Sequence, residues 1–350
     1  MRMKAAVIKD WGKPLSIEEV PKPEPGPGEV LVRIRASGVC HTDLHQWKGD
    51  WPAVKLPMEK HGVRILGHEG VGVVEEVGLG VTRVRKGDRV GVPWMNYWCG
   101  SCEYCLSGYP HWCPHAKYTS VHVNGTHAEY AVIHERTVPV IPKEIEDVEA
   151  APLMCAGVTA YGAIRKLITE VKLPPGKPIA IIGAAGGLGH YAVQIAKAFG
   201  YVVIGIDIGE ERIKFVERLG ADYAIDVSNA EKFVKEKFGG LYASVVFTPK
   251  INGYELGLRL LKTLGVLVAV GIPDVKEGAL QLYPLTIIGM GFRILGSSVG
   301  VTHEFEELFN LVLNKKVKGH ITRVADLSEI NNVFQDLEKG RIVGRAVLRI

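Results

Sequence analysis

The sequence predicts a two-part α/β protein: a β-rich domain first, then a doubly wound parallel sheet with helices on both faces. Three observations carry this. A chain of 350 residues sets an expectation of about two domains. Its first half consists of short alternating strands broken by Gly and Pro, whereas from about Met154 strands and helices alternate with the spacing of parallel-sheet units. Finally, Ile179–Gly189 (IAIIGAAGGLG) runs from an apolar strand through a glycine turn into a helix, the entry to a dinucleotide-binding fold.

In order, the N-terminal strands are Ala5–Lys9, Val30–Ala36, Val71–Val77, Asp88–Val92 and Glu129–Ile133. Pro21–Gly28 (PKPEPGPG) cannot be helical, because proline lacks the amide hydrogen, and reads as an extended connector. After a helical segment behind Cys155 come the strands Ile179–Ile182, Val202–Ile206, Tyr223–Ile225, Ser244–Phe247 and Val266–Val270. Their unbroken Val/Ile runs suit strands covered on both faces. Amphipathic stretches near Leu188–Phe199, Glu210–Leu219, Ala230–Lys237 and Tyr254–Thr263 lie between them. Two helices, His303–Asn314 and Leu327–Lys339, and a strand, Arg345–Ile350, finish the chain. The boundaries read as a β-rich domain over 1–153, a dinucleotide domain over 154–297 and a C-terminal return to the first domain over 298–350.

Composition excludes several classes of function. A net charge of +4, dispersed along the chain, gives no basic patch for nucleic acid or a membrane surface, and 47% hydrophobic content supplies ample core. The longest apolar runs are too short to span a bilayer. The first residues (MRMKAAVIK) pass straight into strand-like alternation without the apolar stretch of a signal peptide, so the expected compartment is cytoplasmic. Only four Gln and eight Asn occur, a composition that tolerates heat.

Six cysteines fall where zinc chemistry would put them. Cys99, Cys102, Cys105 and Cys113 form a tight C-x2-C-x2-C-x7-C knot, the closed thiolate set of a structural tetrahedral zinc. The alternative, three disulfides, needs an oxidising compartment. Cys40 and Cys155 stand alone. The segment Gly38–His45 (GVCHTDLH) gathers a thiol, a hydroxyl, a carboxylate and two imidazoles, and Gly67-His68-Glu69-Gly70 supplies a histidine between glycines. Taken singly, each histidine is an ordinary polar residue. Together with Cys155, the set offers two thiolates and one imidazole, a catalytic-zinc donor set with a fourth corner open.

The glycine turn reads Gly183-x-x-Gly186-Gly187-Leu188-Gly189, and Asp207 ends the strand that follows it. Glycines let backbone amides and a helix N-terminus approach a pyrophosphate. A carboxylate at Asp207 accepts from both ribose hydroxyls and repels a 2′-phosphate, and Ile208-Gly209-Glu210-Glu211 follows it with no arginine. NAD rather than NADP is the expected cofactor.

On GVCHTDLH, GHEGVGVVEEVG, the four-cysteine knot, Ala151–Tyr161 (APLMCAGVTAY), IIGAAGGLGHYAVQIAKAFGY and Ile342–Val347 (IVGRAV), the chain resembles the medium-chain zinc-dependent alcohol dehydrogenases, above all their tetrameric microbial branch. The resemblance covers essentially the whole length. It implies a GroES-like catalytic domain, a Rossmann domain, a homotetramer and two zinc ions per chain. Cys40, His68 and Cys155 would hold the catalytic zinc, with Glu69 behind the metal, visiting it during ligand exchange. Asp43 would orient His68. Thr42 would take the alcohol's proton and pass it by way of the nicotinamide ribose to His45. His41 and Arg345 would neutralise the pyrophosphate, Thr159 would touch the nicotinamide and Val270 its carboxamide, beside Gly183, Gly186, Gly187, Leu188, Gly189 and Asp207.

Elementary chemistry agrees with that implication. An alcohol holds its proton about as tightly as water does, and zinc lowers the pKa of bound water from about 15.7 to about 7. At 1.36 kcal/mol per pH unit that is roughly 11 kcal/mol, beyond any single hydrogen bond. The resemblance also places Trp51 and Trp94, with Ile272 as a third wall, around a pocket for small primary alcohols such as ethanol. Two readings compete: a polyol or amino-alcohol dehydrogenase, against which two indoles argue, and a non-catalytic dinucleotide-binding protein, against which Cys40, His68 and Cys155 argue. Met58–Leu66 reads as a long basic link before the GHEG turn, a surface loop or a reshaped pocket entrance.

Overall fold

The computed structural model describes all residues, Met1–Ile350. It contains two compact units: Met1–Val158 with Val299–Leu313 and Gly319–Ile350, and Thr159–Ser298 with Asn314–Lys318. The chain passes from one to the other inside the helix Ala156–Thr169.

In the first unit a six-stranded sheet is organised around the long strand Glu29–Val39. Strand Gly70–Val77 runs antiparallel to it on one side. On the other side Tyr130–His134 pairs with its first half and Arg345–Arg349 with its second. Register matters here more than shape. Ser37 lies opposite Gly70 and Ala346 opposite Val39. Continuing those ladders past their ends brings Cys40 toward His68 and toward Arg345. Three segments remote in sequence therefore meet at one sheet end. Apolar residues at alternate positions (Val30, Val32, Ile34, Val74, Val90, Val92, Ile133) form the core on one face. A second cluster around Leu44, Met58, Leu66, Val333, Phe334 and Leu348 packs the helices against the other side.

In the second unit six strands are all parallel, in the spatial order Tyr223–Asp226, Val202–Asp207, Pro178–Ile182, Leu241–Val246, Leu261–Ala269, Arg293–Gly296. This is the doubly wound order in which the chain reverses direction beside its first strand, and ligands bind at that switch point. Ile179, Ile181, Val203, Val245 and Val268 are wholly buried, as helices on both faces require.

Three sequence expectations need correction. Met58–His61 is not loop: it is the last turn of a helix, Pro52–His61, whose first residue is a proline and whose C-cap Gly62 is left-handed (φ 67°). Met58 is completely buried in the helical core. The stretch expected to be helical over Tyr254–Thr263 is a helix over Ile251–Arg259, and the chain is already a strand from Leu261. The helix Pro284–Met290 and the edge strand Arg293–Gly296 add to the expected elements; their apolar residues are largely exposed and follow neither period clearly.

Candidate metal and cofactor sites

Cys40 follows the long strand directly and caps the helix His41–Lys48. Asp43, one turn in, accepts the Cys40 amide through Oδ2 (2.8 Å), which closes the helix start. Its other oxygen accepts from the Gly67 amide (3.2 Å) and from His68 Nδ1 (3.0 Å). With Nδ1 committed to the carboxylate, His68 presents Nε2 to the cluster, and that nitrogen is buried without a hydrogen-bond partner. Ligand atoms of Cys40, His68, Glu69 and Cys155 all lie within 4.8 Å of one another, and every one of these residues is buried. An orphaned imidazole nitrogen facing two thiols is a poor arrangement for a core and a good one for a metal. The donor set fits zinc.

Electrostatics point the same way. A hydrogen bond with the Cys155 thiol and the nearby His68 hold Cys40 well below the ordinary thiol value, against its burial; Cys155 is correspondingly pushed up. Burial alone would lower His68, but the Asp43 carboxylate outweighs it and raises the ring to about 10. Burial lifts Glu69 to about 7 despite its ion pair with Arg345. Glu69 Oε1 accepts from Arg345 Nη2, while Glu69 Oε2 and Arg345 Nε are buried without partners. Gly38 makes room for this carboxylate, since a Cβ there would lie 2.0 Å from Glu69 Oε2.

Trp94 meets the His68 ring edge-on (centroids 4.9 Å) and stacks on Tyr118. Thr42 and His45 lie on one face of the first helix, at the spacing that makes helical neighbours. His45 stacks on Trp51 (4.5 Å), and its Nδ1 is 3.2 Å from Asp50 Oδ2. His41 is exposed at the helix start.

The four-cysteine knot is equally legible. All six cysteines are free thiols. Cys99 Sγ lies 3.6 Å from Cys113 Sγ and 4.0 Å from Cys105 Sγ; a tetrahedron with about 2.3 Å zinc–sulfur bonds has edges of about 3.8 Å. Amides of Ser101 and Cys102 donate to Cys99 Sγ (3.5 and 3.3 Å), and these bonds, Ser101's first, lower Cys99 to about 5. Burial raises Cys105 to about 12. Arg136 holds the knot's first loop through the carbonyls of Trp98 (2.9 Å) and Cys99 (2.6 Å).

In the second unit, the turn after Pro178–Ile182 has Gly183 at φ 82°, and a Cβ at Gly189 would sit 2.0 Å from the Gly183 carbonyl oxygen. Gly186, Gly187 and Leu188 are partly exposed along the turn. Asp207 Oδ2 accepts from the Ala185 amide (2.8 Å), tying the end of the next strand to the turn. Arg212 Nη1 lies 3.5 Å from Asp207 Oδ1, an arginine just beyond the Ile208–Glu211 window in which the sequence shows none. Thr159 Oγ1 is buried without a partner, Val270 follows the fifth strand of the sheet, and Ile272 is exposed.

Two protein-family models match the chain: "Alcohol dehydrogenase GroES-like domain" over residues 26–143 and "Zinc-binding dehydrogenase" over residues 187–314. An alcohol dehydrogenase of Geobacillus stearothermophilus is 43% identical over 99% of this chain and 100% of its own length. This chain belongs to the medium-chain zinc alcohol dehydrogenases. Among solved structures, the alcohol dehydrogenase of the hyperthermophilic archaeon Aeropyrum pernix superposes with a TM-score of 0.88 at 37% identity, covering 99% of this chain and 100% of that one. A structure described as an NAD-dependent alcohol dehydrogenase gives the same TM-score at 30% identity, again covering 99% and 100%. Membership makes the protein a zinc-dependent oxidoreductase of alcohols.

Proposed function

We propose that the protein interconverts small primary alcohols of the ethanol type and their aldehydes, with NAD as hydride carrier and two zinc ions per chain, one catalytic and one structural. The observation that carries this reading is the buried meeting of Cys40, His68, Glu69 and Cys155, with His68 Nε2 left unpartnered. Zinc bound there supplies the Lewis acidity that makes an alcohol acidic, and NAD accepts the hydride.

The remaining work falls to this chain's residues. Asp43 fixes the His68 tautomer by taking its Nδ1–H. Thr42 takes the alcohol's proton, and His45 receives it at Nε2, since its Nδ1 is engaged with Asp50. Trp94 against His68 and Trp51 against His45 favour a small substrate over a branched polyol. The Gly183–Gly189 turn and its helix cradle the pyrophosphate, and Asp207 accepts from the adenosine ribose. Arg345 Nε–H, buried and unpaired, is suited to an anionic phosphate, as is His41 at the exposed helix start. Thr159 and Val270 belong to the nicotinamide end.

A cytoplasmic homotetramer completes the reading. No helix is long and apolar enough to cross a membrane. Leu285 and Ile288, 84% and 79% exposed on the helix Pro284–Met290 that precedes the edge strand Arg293–Gly296, support association through this segment, because exposed apolar surface and an open sheet edge favour pairing. A substrate panel tests the assignment. Wild type should prefer ethanol to branched polyols, and Trp94→Ala should shift the ratio roughly tenfold toward bulkier alcohols, the scale of about one or two methylene groups in a pocket. A wild-type preference for polyols would refute it.

A further inference from the structure

His127 has no motif around it, yet it is wholly buried and lies against the machinery just described. Its backbone is clamped on both sides: its amide donates to the Leu66 carbonyl (2.9 Å), and its carbonyl accepts from the Ala6 amide (2.9 Å). The side chain lies between Ser37 and Asp43. Nδ1 is 3.0 Å from Ser37 Oγ, which in turn is 2.7 Å from Thr126 Oγ1. Nε2 is 3.7 Å from Asp43 Oδ2 and has no closer partner.

The two glycines flanking His68 and Glu69 make space for this group. A Cβ at Gly67 would lie 2.6 Å from His127 Nδ1 and 2.7 Å from Thr126 Oγ1; one at Gly70 would lie 2.5 Å from Thr126 Cγ2. The GHEG turn is therefore shaped around His127 and Thr126 as well as around its own histidine.

A neutral imidazole carries one N–H. Placed on Nδ1, it would leave the Nε2 lone pair facing a carboxylate oxygen in a dry interior, two acceptors opposed. Placed on Nε2, it points the N–H at Asp43 and lets Nδ1 accept from the Ser37 hydroxyl, whose oxygen accepts from Thr126. Only the second arrangement avoids opposing two acceptors and pairs Nδ1 with a donor. The contact with Asp43 is longer than a hydrogen bond and acts as a dipole held toward a charge.

We propose that His127 is a positioning residue for the metal ligand His68, acting through Asp43: its Nε2–H steadies the carboxylate oxygen that His68 does not use. The inference rests on reading Cys40, His68 and Cys155 as the zinc site. That reading fails separately, if the purified protein holds no zinc beyond that of the four-cysteine knot.

The test uses the zinc-loaded protein. His127→Phe keeps a flat ring for packing beside Phe334 but removes the donor. The catalytic zinc should then be lost to a chelator roughly 10- to 100-fold more readily, the usual effect of removing an outer partner, with the knot's zinc retained. His127→Gln, whose amide can donate to Asp43 while accepting from Ser37, should restore most of the retention. Independently of any variant, 15N-histidine NMR of the wild type should place the His127 proton on Nε2. Unchanged zinc retention in His127→Phe, or a proton found on Nδ1, would overturn the proposal.

Discussion

Arg345 donates to Glu69 across 276 residues of sequence, and both side chains are buried. Each holds the other's charge out of reach of water. Removing one partner of a buried pair costs about 3–5 kcal/mol, whereas neutralising both often costs little. Arg345→Met should therefore unfold at markedly lower urea concentration, and adding Glu69→Gln should recover part of the loss. A double variant as unstable as the sum of the two singles would mean that the pair is not coupled.

The Asp207 carboxylate bears on cofactor choice. It stands at the end of the second strand of the parallel sheet with Arg212 already 3.5 Å away. Asp207→Gly removes the group expected to hold the ribose hydroxyls and, with it, the carboxylate that would repel a 2′-phosphate. The NAD-to-NADP ratio of kcat/KM should fall roughly 10- to 100-fold, the worth of a hydrogen bond to a charged group at about 1.5–3 kcal/mol. An unchanged ratio would remove Asp207 from that role.

The cysteine knot should matter for stability more than for chemistry. A closed set of four thiolates contributes folding energy when it binds metal. Cys102→Ser should lose about one zinc per chain and several degrees of thermal midpoint, with activity kept well below that midpoint. If the variant instead loses ethanol oxidation at low temperature while remaining folded, the knot is more than structural.

How much of this could be read from sequence follows from what each feature depends on. The knot is legible because its four cysteines fall within one short segment, Cys99–Cys113, whose spacing alone reads as a closed thiolate set. The glycine turn is legible because tight backbone approach leaves only glycine. The helix Pro52–His61 is hidden by Pro57, which deletes one helical hydrogen bond and normally signals a break; proline at the first helical position and Gly62 at the cap are the signals that could have found it. His127 is illegible for another reason. Its partners, Ser37 and Asp43, lie far earlier in the chain, and only the strand ladder brings them together. The ion pair of Arg345 with Glu69 depends on the same register.

Burial of His127 makes one further prediction, about acid. Desolvation lowers its pKa to about 4 from an ordinary 6.5, despite the pull of Asp43. Below pH 6.5 the unfolded chain therefore takes up a proton that the folded chain refuses. Stability from this group is full above pH 6.5 and is lost as the pH falls toward 4, because the unfolded state binds more protons throughout that window. A separation of about 2.5 pH units corresponds to about 3 kcal/mol. The direct check is 15N-histidine NMR across that range: the His127 ring should stay neutral at pH 5, below the ordinary imidazole value of about 6.5. A His127 signal protonated at pH 6 would mean that the ring is solvated and that its burial beside Asp43 is not maintained in solution.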